Sequence, residues 1–154
     1  MKNVLRVLIL LLLPGAAQAQ LGPSCTLLAT PGINFGAYTS GGGALDGQTT
    51  LQFSCVPNLL IGPTVSYSIS LNQGTGSGGS FNPRRFSGSG ATLDYNLYTD
   101  PVRITIWGDG TPGTSKPGGT CAGSCSVPVY GRIFAGQSVP AAQYQDDILV
   151  TIEF

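Results

Sequence analysis

Glycine and proline punctuate this chain so densely that a long helix has no room to run. The 154 residues include 23 Gly and 11 Pro, and beyond residue 19 one or the other interrupts nearly every window of about ten residues. What survives between the breaks is short and alternating. Residues 65–71 (VSYSISL) point Val65, Tyr67, Ile69 and Leu71 one way and the serines the other, which is the period of a half-buried strand. The same period runs through residues 49–56, where Leu51, Phe53 and Cys55 share a face. It recurs through residues 92–98, where Leu93, Tyr95 and Leu97 oppose Asp94, Asn96 and Tyr98. Further strands are expected over residues 25–29 (resuming at 33–35 after Pro31-Gly32), 84–86, 103–107, 126–134 and 147–154. Pro128 marks the strand that carries it as an edge or a bulge. Short strands joined by Gly/Pro turns predict an all-β fold, an antiparallel immunoglobulin-like Greek-key sandwich.

The N-terminus is built differently. Lys2 and Arg6 precede the apolar run VLILLLL, Pro14-Gly15 breaks it, and Ala17-Gln18-Ala19 supplies small residues for cleavage. This is the layout of a secretory signal peptide over residues 1–19. The run is far shorter than the roughly 20 residues a spanning helix needs. Cleavage after Ala19 leaves 135 of the 154 residues, 20–154, as a single domain with no further membrane span. Without Lys2 and Arg6 the seven basic residues become five against seven acidic ones. A net charge of −2 gives no field for nucleic acid or anionic lipid.

An exported chain meets an oxidising compartment, so the four cysteines are expected to form disulfides. Three pairings are open. The Ala-Gly-Ser spacer between Cys121 and Cys125 lets a tight local loop close, which leaves Cys25 with Cys55. With no histidine in the chain, neither an ordinary zinc site nor a Ser-His-Asp or Cys-His arrangement can be assembled. Two G-x-G-x-x-G matches, at Gly74/Gly76/Gly79 and Gly108/Gly110/Gly113, lead into proline rather than a helix and cannot hold a pyrophosphate. Asp94, Asp100 and Asp109 read as turn caps, and Asp146 and Asp147 as strand neighbours facing opposite sides. Arg84-Arg85 reads as a solvated basic pair on an edge strand, and Trp107 as an indole capping the core. No catalytic, cofactor or metal site is expected, and the chain does not read as an enzyme.

Three blocks carry more than periodicity. LDYNLYTDPVRITIWGDGT (residues 93–111), INFGAY (33–38) and VYGRIFAGQSVPAAQYQDDILVTIEF (129–154) together resemble the spore coat protein U domain family, which includes the archaic chaperone–usher pilins. The Cys121–Cys125 loop departs from the simplest form of that pattern. The resemblance implies an incomplete, pilin-type sandwich with a groove beside its C-terminal strand. Ile148, Val150, Ile152 and Phe154 would then contact a chaperone or a donor strand, although their alternation alone fits an ordinary closing strand equally well. It also implies a structural subunit of a surface fibre or coat, secreted through the periplasm. The implied partners are a periplasmic chaperone, an outer-membrane usher and neighbouring pilin subunits. Major pilins of this kind carry a donor segment before the first cysteine. Here only residues 20–24 would precede Cys25, which points to a strand acceptor at a fibre tip or in a minor position. The alternative is a self-contained secreted sandwich that binds carbohydrate or a surface through loops near Trp107 and Cys121–Cys125.

Overall fold

A computed structural model describes residues 22–58, 60–76 and 78–154; the expected signal peptide lies outside the described residues. Eight strands follow one another: β1 (Ser24–Ala29), β2 (Leu45–Val56), β3 (Val65–Leu71), β4 (Arg84–Gly88), β5 (Ala91–Tyr98), β6 (Gly118–Cys121), β7 (Gly123–Ile133) and β8 (Val150–Glu153). They form two antiparallel sheets, one of five strands in the order β1-β2-β7-β5-β4 and one of three in the order β6-β3-β8. No helix occurs among the described residues. The alternating faces meet between the sheets. Leu51 and Phe53 of β2, Ile69 and Leu71 of β3, Leu93 and Tyr95 of β5, and Val129 and Ile133 of β7 are all buried. Each such side chain contributes about 1.5–3 kcal/mol relative to exposure.

Both expected disulfides are present. Cys25–Cys55 joins directly opposed positions of β1 and β2. Cys121–Cys125 staples the end of β6, in the small sheet, to β7 in the large one.

Several elements differ from their sequence reading. Residues 33–35 form no strand, and the C-terminal strand is only Val150–Glu153. The glycine-rich β6 had no apolar alternation to announce it. β7 is central rather than an edge strand, yet β5 pairs only with its residues 130–133, so Pro128 sits where the strand is locally an edge. Residues 103–107 form a turn and two isolated bridges instead of a strand. The Asp100 carboxylate accepts the N–H groups of Ile104 and Thr105, and Arg103 takes up a left-handed backbone at φ 60°. A side-chain cap therefore outcompetes the ladder.

Trp107 is buried, and its Nε1 donates to the Ile69 carbonyl. Its backbone N–H donates to Leu97 of β5, while the next carbonyl, of Gly108, accepts from Leu71 of β3. The indole bonded to β3 and the backbone N–H bonded to β5 together tie the two sheets. Arg84 is the main correction to the sequence reading. It lies on the edge strand β4, but its side chain is fully buried. The guanidinium donates to the carbonyls of Asn72 and Trp107 and to Oδ1 of Asn96, at 2.7–3.0 Å, with the Phe81 ring 5.1 Å away. Burial pushes its pKa down to about 10, although nearby acidic groups favour the charged form. Asn96, expected to face solvent, is buried with it and donates to the Phe81 carbonyl.

Removing the Arg84 guanidinium orphans several buried acceptors. Arg84→Ala is expected to cost about 3 kcal/mol or more. Arg85→Ala, whose half-exposed side chain pairs with Asp94, should cost under about 1 kcal/mol. Urea midpoints measured side by side check the contrast, and equal midpoints would put Arg84 in solvent. A second expectation concerns Asp46, whose carboxyl is held below its ordinary value by the Arg132 guanidinium and, further off, by Arg103. A lowered carboxyl contributes stability above its unfolded pKa and loses it as pH falls through the folded value. Asp46→Asn should therefore lessen the drop in urea midpoint between about pH 5 and about pH 3. An unchanged drop would contradict the pairing.

Candidate functional site

β8 has one partner, β3, and among the described residues its other edge is unpaired. The direction of its backbone follows from β3. Ile69 and Leu71 direct their N–H groups away from β8, to Pro117 and Gly108, so Ser68 and Ser70 face it, opposite Glu153 and Thr151. By alternation, Val150 and Ile152 turn their N–H and C=O groups toward the open edge. Their side chains, with that of Ile148, are half-buried against the core. The same residues thus offer free backbone outward along the sheet and apolar side chains inward. Phe154 is 56 % exposed and does not join them.

A cleft runs alongside. Its two adjoining parts, of about 370 and 660 Å³, are walled by residues 30–38 on one side and by residues 139–149 on the other. Side chains of the core make the floor, including Leu51, Leu71, Phe86 and Tyr95. Ile148 and Val150 line the part nearest β8. None of the four cysteines lines either part.

Neither wall is a strand, and side chains hold both in place. Tyr38 accepts at its hydroxyl from the Gln137 N–H, and Ser40 from the Val139 N–H, so the walls meet at one end. Gln145 exchanges two hydrogen bonds with Ser87 of β4. Asp146 then anchors the second wall: Oδ1 accepts from the Thr75 N–H and hydroxyl and from the Gly76 N–H, and Oδ2 from the Tyr95 hydroxyl at 2.7 Å. Burial, then that bond, raises the pKa of the Tyr95 hydroxyl, which therefore stays a donor. Finally Leu149 and Asn72 exchange bonds that lead into β8.

Of the residues expected at the site, Ile148 and Val150 line the cleft and Ile152 packs against the core, while nothing in the sequence marked Ile33, Phe35, Tyr144 and Asp146 as walls. Ile33 and Phe35 do alternate, and that period suggested a strand rather than a wall. Asp146 and Asp147 read as neighbours facing opposite sides, and it is Asp146 that turns in while Asp147 is exposed. Asp100 and Asp109 cap their own turns, Asp109 accepting from the Thr111 N–H and hydroxyl, and both carboxyls are held below the usual range by those bonds. Asp94 pairs with Arg85. Trp107, buried as it is, cannot serve as a surface platform.

Known proteins bear on this arrangement. The family model described as the Spore Coat Protein U domain matches residues 13–151. Protein U of Myxococcus xanthus is 31% identical over 147 residues, covering 88% of this chain and 80% of Protein U. Among solved structures, the chain resembles one from the CsuC–CsuE chaperone–tip adhesion subunit pre-assembly complex of the archaic chaperone–usher Csu pili of Acinetobacter baumannii. The TM-score is 0.58 at 24% identity, over 86% of this chain and 40% of that one, so this chain spans less than half of its solved neighbour. At that identity the likeness is one of fold. The match to the domain covers two of the blocks singled out in the sequence and the third as far as residue 151: this chain belongs to the Spore Coat Protein U domain family.

Proposed function

We propose that this protein is a structural subunit of a surface fibre or coat, completed by a strand that another chain lays along β8. One observation carries the reading: the unpaired edge of β8 stands beside a cleft floored by the core. Strand addition needs both parts, since main-chain bonds supply affinity and alternate side chains fill pockets. The edge would offer the Val150 and Ile152 backbone, and the cleft would take the donor's inward side chains. Left empty, such an edge is a template for aggregation.

The partners follow by analogy with the fibres that the solved neighbour comes from. A periplasmic chaperone would lend the first strand, and a neighbouring subunit would replace it at an outer-membrane usher. Export would begin with the signal peptide at residues 1–19 and end at the cell surface. With cleavage after Ala19 only residues 20–24 stand ahead of Cys25. At about 3.3 Å per residue that is short for a donor strand, so the subunit accepts a strand without giving one, as a tip or minor component would. Mass spectrometry of the mature N-terminus checks that step.

Residues 20–154, produced in a periplasm without a cognate chaperone, should aggregate and be recovered by an added peptide alternating valine and threonine. A soluble monomer that unfolds cooperatively on its own would contradict the reading. Val150→Lys, which puts a charge into the cleft, should lower peptide affinity by about a hundredfold. Thr151→Lys, on the exposed face, should leave it within about threefold. Fluorescence anisotropy of the labelled peptide measures both.

A further inference from the structure

Two of the blocks singled out in the sequence, INFGAY and VYGRIF, interlock at a point that strand addition alone does not explain. Gly47 of β2 and Gly131 of β7 lie directly opposite each other in the ladder. Neither has a positive φ, so the backbone does not require glycine at either position. Space does. A Cβ on Gly131 would stand 2.5 Å from Cζ of Phe35 and 3.1 Å from Cδ1 of Ile33. A Cβ on Gly47 would stand 2.5 Å from Cγ2 of Ile33 and 3.1 Å from Cδ1 of Phe35. The paired glycines form a dimple in the large sheet, and the two apolar residues of the first wall sit in it. Strand glycines commonly mark such close approaches.

The third block supports the dimple. Asp46 and Arg132, which flank the two glycines, carry their side chains on the opposite face by strand alternation. From that face Arg103 donates to the carbonyls of Gly131 at 3.0 Å and Gly47 at 3.5 Å, and reaches Asp46 at 3.3 Å. On the cleft side the Phe35 ring stands edge-on to Phe86 and Tyr95, with centroids 5.8 and 6.4 Å away. Both of those rings belong to the cleft floor. No strand ladder fixes residues 30–38, so these two side chains decide how high the wall stands.

We propose that the Gly47–Gly131 pair is a seat that sets the width of the cleft and so determines which strand can enter it. The inference rests on the strand-acceptor reading above. With the seat free, Phe35 lies low and leaves room for a donor's bulky side chains between the walls. A methyl group in the seat lifts the Phe35 ring into that room. Gly47 and Gly131 are positioning residues, acting through Ile33 and Phe35 without touching the donor.

The test uses residues 20–154 refolded with a fluorescent peptide alternating valine and threonine. Gly131→Ala should weaken the peptide by about tenfold or more, the scale of overpacking a filled site. Adding Phe35→Leu, which shortens the knob, should return affinity to within about threefold of the parent, a rescue that a general loss of stability would not show. If Gly131→Ala alone yields no folded chain, the double variant decides. Recovery of a folded, peptide-binding chain supports the seat, and failure to recover overturns it, because the methyl group is then not acting through Phe35. Equal binding by the parent and Gly131→Ala also overturns the seat and leaves the strand-acceptor reading standing. A parent chain that binds no such peptide overturns that reading first and the seat with it.

Discussion

A sheet of three strands cannot cover a sheet of five. At about 4.8 Å per step, five strands span roughly 19 Å and three roughly 10 Å, so the small sheet falls short by about two strands. The rest of the architecture answers that shortfall. The excursion through Trp107 ties β5 to β3 with backbone bonds and one buried indole. The walls at residues 30–38 and 139–149 cover part of the remaining core with side chains, without supplying a strand. The unpaired edge of β8 is what remains.

The parts away from the cleft are tied down heavily. Arg84 is a buried cation satisfied by neutral acceptors from three different segments. A charge is expensive to bury, and here neutral dipoles at hydrogen-bond distance offset the cost. Among the described residues no buried side-chain nitrogen or oxygen lacks a partner. Cys121–Cys125 adds a covalent link between the sheets. These ties hold the two sheets together around the unpaired edge of β8. The wall residues are held by side chains such as Asp146, Tyr38 and Phe35 and not by a strand ladder.

Legibility in the sequence followed the physics of each element. β3 and β5 announced themselves because a strand buried on one face must alternate, and VSYSISL and LDYNLY do. The disulfides were legible because a short flexible spacer constrains one pair and leaves the other. Arg84 was not legible: beside Arg85 it looks identical, and only the fold turns one guanidinium inward and the other outward. Asn96 was misread for the same reason, since its side chain is covered by the inward guanidinium of Arg84 and the Phe81 carbonyl. β6, as GGTC, carries no periodicity. At the candidate site the inward residues Ile148, Val150 and Ile152 showed in the alternation. The dimple beneath Ile33 and Phe35 depends on two glycines more than eighty positions apart being opposed in register, which no local pattern reveals.

Whether β8 takes a strand along its free edge is decided by amide hydrogen exchange on the chain bound to an alternating peptide. The Val150 and Ile152 amides, which face the open edge, should slow markedly on binding. Those of Thr151 and Glu153, already directed at β3, should change little. Peptide binding that leaves Val150 and Ile152 exchanging as fast as in the free chain would contradict strand addition at that edge.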